Sequence, residues 1–257
     1  MNVGLKGKCF LVTGSSKGIG FAIAEALLKE GAKVALVARG KEGITEAEKR
    51  CSKQFGQDRI LAVTADCAKE DQLLLVRDKM LSEWGEIQGI VANVGDGRSV
   101  TDPLPDKAQW SSIWQTNFET ALTTARVFLP ALQQSQGSLL FIASITGLAA
   151  LGAPVDYSVA KTAVIALAQN LARKVAPTVR VNVIAPGNIF FPGGSWEGKL
   201  KANPDGVESM LRQQVPLQRF GTPEEIADAA IFLCSPRASF ITGAVLRVDG
   251  GQVSSLL

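Results

Sequence analysis

The sequence predicts an α/β fold: a doubly wound, parallel, seven-stranded sheet with helices on both faces. Three observations carry that expectation. Seven short apolar, β-branched runs alternate with longer amphipathic stretches. The runs are continuously apolar rather than alternating, as in strands buried on both faces. The 257 residues contain no Pro/Gly/Ser linker, repeat or low-complexity tract, and α/β folds of that size often keep one core. One domain over 1–257 is therefore expected.

The first strand is expected at 8–13 and runs straight into Thr13-Gly14-Ser15-Ser16-Lys17-Gly18-Ile19-Gly20. A helix follows at 19–30, because Ile19, Ala22, Ile23, Ala26 and Leu27 fall on one face. Strand 33–38, helix 42–55, strand 59–64 and helix 69–84 continue the alternation, then strand 87–92, one long helix at 107–134, strand 137–143, helix 155–175 and strand 178–185. Residues 187–221 break the pattern with Gly187, Pro192, Gly193, Gly194, Gly198, Pro204 and Gly206. This stretch follows the sixth strand, at the carboxyl edge where open α/β sheets bind ligands, and is expected to be an irregular substrate lid. Helix 222–235 and strand 243–249 complete the series.

Composition removes several classes of function. The 27 basic and 24 acidic residues give a formal charge of +3, too even a balance for a nucleic-acid partner. Histidine is absent, which excludes Ser-His-Asp and Cys-His catalysis and histidine-ligated metal sites. Cys9, Cys51, Cys67 and Cys234 form no CxxC pair, so no metal site is expected, and free thiols fit a reducing, cytoplasmic setting. The first eight residues lack the apolar core of a signal peptide. Residues 127–155 carry no charge, but Pro130, Gln133-Gln134-Ser135-Gln136, Gly137 and Gly147 interrupt them. No run of about 20 predominantly apolar residues survives, so no membrane span is expected.

The glycine turn between the first strand and helix carries the first chemical signal. A sharp turn, backbone N–H groups brought up to a phosphate and a helix packed close to a strand each need a position without a Cβ. A pyrophosphate would then sit at the helix N-terminus, where free N–H groups and the dipole favour an anion; the alternative is a plain structural turn. The second strand ends Val37-Ala38-Arg39-Gly40, with no carboxylate for the ribose hydroxyls of NAD. Arg39 and Lys17 together suit the 2′-phosphate of NADP, unless they are merely a solvated pair. Asp66, closing the third strand, is read as a hydrogen-bond partner of the adenine amino group or as the N-cap of the helix at 69–84.

The second signal lies near the middle of the chain. Ser144 ends the fifth strand, and Tyr157-Ser158-Val159-Ala160-Lys161 opens a long helix. Tyr157 and Lys161, at i and i+4, share a helix face, and Tyr157 is the only tyrosine. A nearby ammonium favours phenolate, so the phenol pKa is expected below its usual value near 10. A phenol so tuned can exchange a proton near neutral pH. Read singly, Ser144 could cap a turn, Asn117 could be a satisfied core amide and Lys161 a surface charge.

Gly14-x-x-x-Gly18-x-Gly20, Asn117, Ser144, Tyr157-x-x-x-Lys161 and Pro186-Gly187 together resemble the classical short-chain dehydrogenase/reductase family, from Lys8 to Gly251, nearest to its 3-oxoacyl carrier-protein reductases. The resemblance implies a Rossmann-like domain and an NADP(H)-dependent oxidoreductase that reduces a ketone or aldehyde reversibly. It implies Tyr157 as proton donor, Ser144 as hydrogen-bond partner of the carbonyl oxygen, Lys161 on the nicotinamide ribose and lowering the Tyr157 pKa, and Asn117 as holder of a relay water. It also implies cofactor contacts from Gly14, Ser16, Lys17, Gly18, Ile19, Gly20, Arg39, Asp66, Asn93, Gly95, Tyr157, Lys161, Pro186, Gly187 and Ile189, and assembly as a homotetramer or homodimer through the two long helices and the C-terminal segment.

The chain departs from the pattern at three places. Ala92 replaces the first Asn of the family's NNAG turn. Phe191 stands where a carboxamide-binding Thr is usual. Of two carrier-docking arginines, one matches Arg173 and the other falls on Pro130, which argues against a carrier-protein substrate. Phe190, Phe191 and Trp196 could cover a flat ring or a sugar face, or could pack the lid onto the body. The stretch Gly187–Trp196 resembles family members of surface-glycan pathways, implying an oxidised-sugar substrate as one alternative. A catalytically dead NADP-binding sensor or scaffold is another, and a dehydratase or epimerase is disfavoured by the glycine spacing.

Overall fold

A computed structural model describes residues 3–254. Its order is β1 (Cys9–Thr13), α1 (Gly18–Lys29), β2 (Lys33–Ala38), α2 (Lys41–Phe55), β3 (Ile60–Thr64), α3 (Glu70–Trp84), β4 (Gly89–Ala92), α4 (Lys107–Trp114) and α5 (Thr120–Ser135), then β5 (Ser138–Ile142), α6 (Val155–Val175), β6 (Arg180–Pro186), α7 (Ser195–Ala202), α8 (Pro204–Gln214), α9 (Pro223–Cys234) and β7 (Val245–Val248). The sheet has the order β3-β2-β1-β4-β5-β6-β7, and all six pairings are parallel.

Every residue of β1, β4 and β5 is buried, which explains their unbroken apolar runs. Two apolar clusters cover the two faces. Phe21, Ile23, Leu27 and Leu28 of α1, Ile44 of α2 and Ile226 and Ile231 of α9 lie on one. Leu73, Val76 and Met80 of α3, Phe128 of α5 and Val164 of α6 lie on the other. At about 1.5–3 kcal/mol for each large apolar side chain fully buried, these two layers dominate the fold's favourable energy. The sheet order reverses between β1 and β4, so the carboxyl ends of these strands diverge and leave a crevice.

Two expected elements change on inspection. The single helix at 107–134 is two helices joined by a π turn at Gln115–Glu119. The expected irregular lid contains two helices, α7 and α8. Asn203 caps α8 by accepting the Gly206 N–H at 2.9 Å, and Pro204 takes the first helical position, where its missing N–H costs nothing. The Gly/Pro density that reads as irregularity thus marks a helix start. Cys9, Cys51, Cys67 and Cys234 are buried free thiols. Among the described residues no helix is long and apolar enough to cross a membrane.

Candidate active site

A cavity of about 730 Å³ runs along the carboxyl edge of the sheet. One end is the glycine turn. Gly14 and Gly18 have φ of +65° and +58°, a region that penalises any Cβ. A Cβ on Gly20 would run into Gly14 O and Asn93 Nδ2, so only glycine lets α1 approach β1. Neighbouring strands hold the turn in place. The Asn93 amide donates to Thr13 O at 3.0 Å and Gly14 O at 3.2 Å, and Ser15 Oγ accepts the Val37 N–H at 2.9 Å. No side chain caps the N-terminus of α1, which leaves its first N–H groups for an anion.

Gly14, Ser16, Lys17, Ile19, Gly20, Arg39, Asp66, Asn93, Gly95, Ser144, Tyr157, Lys161, Pro186, Gly187 and Ile189 all line this one cavity. Gly18 does not line it; a Cβ there would come within 2.6 Å of the Phe191 ring. Asp66 is not the N-cap of α3, which starts after Lys69 without a side-chain cap. It closes a local turn by accepting the Ala68 N–H at 3.0 Å. The two cations have different neighbours. Lys17 Nζ donates to Gly193 O of the lid at 3.1 Å, and its charge acts on Asp96 and Glu197. Arg39 acts on Cys67 beside Asp66.

The chemical end forms where β5, α6 and the π turn meet. Ser144 lies just past β5, and its Oγ accepts from Thr146 N and Thr146 Oγ1 at 3.2 and 3.1 Å. Lys161 is 3% exposed; its Nζ lies 5.8 Å from the Tyr157 ring centroid and donates to Ile142 O at 3.3 Å. It is a buried cation, not a surface charge. Asn117 sits fully buried in the π turn. Its Oδ1 accepts the Asp96 N–H at 3.0 Å, and its Nδ2 donates to Asp96 O and Ile113 O, both at 3.1 Å. The helix opens by one residue here: the Thr120 N–H reaches back to Gln115 O. A Cβ on Gly95 would lie 2.7 Å from Lys161 Nζ and 3.0 Å from Asn117 Oδ1. The bare glycine is what lets these groups converge.

Burial reverses the expected direction for the phenol. Desolvation raises the Tyr157 pKa, the Ser144 hydrogen bond lowers it, and the Asp96 charge raises it further. Desolvation also pushes Lys161 down to about 8. The ammonium expected to acidify the phenol is itself held in a low-dielectric setting that disfavours its charge.

Sequence reasoning missed the loop after β4. Burial works to raise the Asp96 pKa, but hydrogen bonds from Arg98 hold it below the usual value, and Arg98 grips both carboxylate oxygens. Asp156, 2% exposed, accepts the Tyr157 N–H and the Ser99 hydroxyl, both at 2.7 Å, and so ties this loop to the start of α6. Its place next to Tyr157 was the available signal. The lid aromatics divide their work. Phe190 and Trp196 pack on Phe220 with centroids 5.7 and 5.2 Å apart, while Trp196 and Phe191 also line the cavity.

Residues 14–252 match the family model described as enoyl-(acyl carrier protein) reductase. The 3-oxoacyl-(acyl-carrier-protein) reductase FabG of Chlamydia muridarum is 35% identical over 98% of this chain and 100% of its own. The short-chain dehydrogenase/reductase SDRA of Arabidopsis thaliana is 34% identical over 98% of this chain and 97% of its own. Among solved structures, L-sorbose reductase from Gluconobacter frateurii, complexed with NADPH and L-sorbose, superposes with a TM-score of 0.90 at 34% identity, each chain covered completely.

Proposed function

The chain belongs to the short-chain dehydrogenase/reductase family, and from that premise we propose that it is an NADP(H)-dependent carbonyl reductase, reversible as an alcohol dehydrogenase. The observation that carries the reading is the convergence of Ser144, Tyr157 and Lys161 on one cavity whose other end is an uncapped helix N-terminus behind a glycine turn. A dinucleotide fits the cradle: glycines clear the floor, the α1 N–H groups are free for the phosphates, and Arg39 stands at the second strand's tip, which carries no carboxylate of its own. When bound, reduced nicotinamide supplies the hydride.

This chain's residues handle the oxygen and its proton. Ser144 Oγ donates a hydrogen bond to the substrate carbonyl oxygen and fixes its position. Tyr157 delivers its proton to that oxygen as negative charge develops there. Burial keeps the phenol protonated until then. Lys161 holds the nicotinamide ribose hydroxyls, and Asn117 holds the loop carrying Gly95 and Asp96 against Lys161, on the route by which a proton returns to Tyr157. Gly14, Ser16, Ile19 and Gly20 receive the pyrophosphate; Asp66, Asn93 and Gly95 flank the adenosine; Pro186, Gly187 and Ile189 flank the nicotinamide.

The unit of function is one domain over 1–257 with 187–221 as its lid. It acts in the cytoplasm on a small-molecule carbonyl, as a homotetramer or homodimer. Exposed Val159 of α6, Phe240 and Leu246 support the assembly. The test is NADPH oxidation against a panel of ketones and aldehydes, followed by the loss of reduced-nicotinamide absorbance. Tight NADPH binding without turnover of any carbonyl would favour the sensor reading instead.

A further inference from the structure

Past the chemical end, the cavity is walled by the lid and by the turn that follows β7. The two are joined: the Leu217 N–H donates to Gly250 O at 3.2 Å, and a Cβ on Gly251 would meet the Pro216 ring at 3.0 Å. Gln252, on that turn, lines the cavity. Its Oε1 is buried and has no hydrogen-bond partner among the described residues. It lies beside Gly187, where a Cβ would stand 3.1 Å from it. A buried, unpaired carbonyl oxygen is costly, and one in a ligand cavity calls for an O–H or N–H from the ligand.

Two more carboxamides line the same cavity without a strong partner. Asn188 Nδ2 reaches only Met210 Sδ, at 3.4 Å. Gln214 lines the cavity from an exposed position and has no side-chain hydrogen bond among the described residues. A carboxamide both donates and accepts, as a hydroxyl does, so three of them together match a ligand bearing several hydroxyls. Trp196 lines the cavity too and offers an aromatic face to C–H groups. Gln252 is half-buried and lines the cavity, so its amide is within reach of a ligand held there.

We propose that Gln252 is a substrate-recognition residue whose amide pairs with a hydroxyl of the substrate, with Asn188 and Gln214 as its companions, so that the site selects hydroxylated, sugar-like carbonyl compounds. This rests on the carbonyl-reductase reading above. It differs from an acyl thioester substrate, whose chain beyond the ketone would leave the three amides facing methylenes.

The test uses the full-length protein and Gln252→Met, which keeps the side-chain volume and removes both polar atoms. Initial rates are measured with NADPH on dihydroxyacetone and a ketohexose, and on butanone as the hydroxyl-free control. The wild type should favour the hydroxylated substrates. The variant should lose about ten-fold in kcat/KM on them, through KM, as for a lost buried hydrogen bond, while butanone turnover and the KM for NADPH stay as they were. Gln214→Met should give a smaller loss of the same kind. Equal losses on butanone, a raised KM for NADPH with every substrate, or no change at all would each overturn the proposal; the second would assign the amide to the cofactor's carboxamide. Failure of the wild type on every carbonyl would reject the reductase reading itself. Reduction of butanone with no gain from hydroxyls would reject only this inference.

Discussion

Replacing Arg39 with alanine should remove most of the preference for NADPH over NADH and leave NADH use nearly unchanged. Arg39 follows β2 directly and lines the cavity beside Gly40 and Asp66. A 2′-phosphate brings nearly two negative charges, and a forked guanidinium contact with it contributes about 1.5–3 kcal/mol, equivalent to roughly 10–100-fold in affinity. Arg39 is exposed, so solvent and salt should reduce the observed preference to about 10-fold at physiological ionic strength. Lys17 should behave differently. Its ammonium is engaged by Gly193 O at 3.1 Å, so Lys17→Met should loosen the lid and raise the KM for both cofactors by a similar factor. The assay is initial rate against NADPH and NADH for each single variant and the double variant, at low and high salt. In the double variant the cofactor ratio should match that of Arg39→Ala alone. If Lys17→Met shifts the ratio as strongly as Arg39→Ala does, the ammonium leaves the lid for the phosphate and the two cations act together. If Arg39→Ala keeps the full preference, the 2′-phosphate assignment is wrong.

Three further outcomes are expected. Tyr157→Phe keeps the ring and removes the proton donor, so steady-state turnover should fall by about 10²–10⁴-fold while NADPH affinity, read by fluorescence titration, is unchanged. Lys161 has a folded-state pKa lowered from 10.5 to about 8, so between those values the unfolded chain binds more protons and stability rises with pH. The group should contribute a rise of about 3 kcal/mol across that window, seen as the difference between wild type and Lys161→Met in urea unfolding below pH 8 and near pH 10. A difference that does not vary with pH would contradict the buried-cation assignment. The hydroxyl of Thr222 accepts the Glu225 N–H and the Glu225 carboxylate accepts the Thr222 N–H in a capping box at the start of α9. Thr222→Ala should therefore cost about 1 kcal/mol in the same unfolding assay, with no effect on KM.

What could be read from the sequence follows from where the deciding physics is local. The strands show as apolar runs because the parallel sheet buries both faces of its central strands, β1, β4 and β5 completely, whereas the edge strands β3 and β7 stay partly exposed. The glycine turn shows because positive φ at Gly14 and Gly18 and the contact at Gly20 admit no other residue. Tyr157 and Lys161 show because one helical turn joins them. The π turn does not show, since one extra residue shifts the helix register too little to disturb the apolar pattern of 107–134. The sign of the Tyr157 shift does not show either. Spacing reveals the lysine one turn away, but the pKa is raised by burial and the Asp96 charge, which come from groups distant in the chain such as the loop carrying Asp96 and Gly97.

The lid illustrates the same division at a single residue. Read against the family pattern, Phe191 is a loss, because a ring cannot make the hydrogen bond expected of threonine at that position. In the fold the ring lies over Gly18, where any Cβ would stand only 2.6 Å from it, and it packs against the same apolar cluster as α1. Lys17, one residue earlier, meets Gly193, two residues beyond Phe191, and the Gly193 N–H donates to Glu197 of α7 at 2.8 Å. The lid is thus fastened to the glycine turn by one apolar contact and one charge-assisted hydrogen bond on adjacent residues. The segment carrying Phe191 and Gly193 is held to the turn expected to receive the phosphates through Lys17 and Gly18 rather than through a hydrogen bond from residue 191.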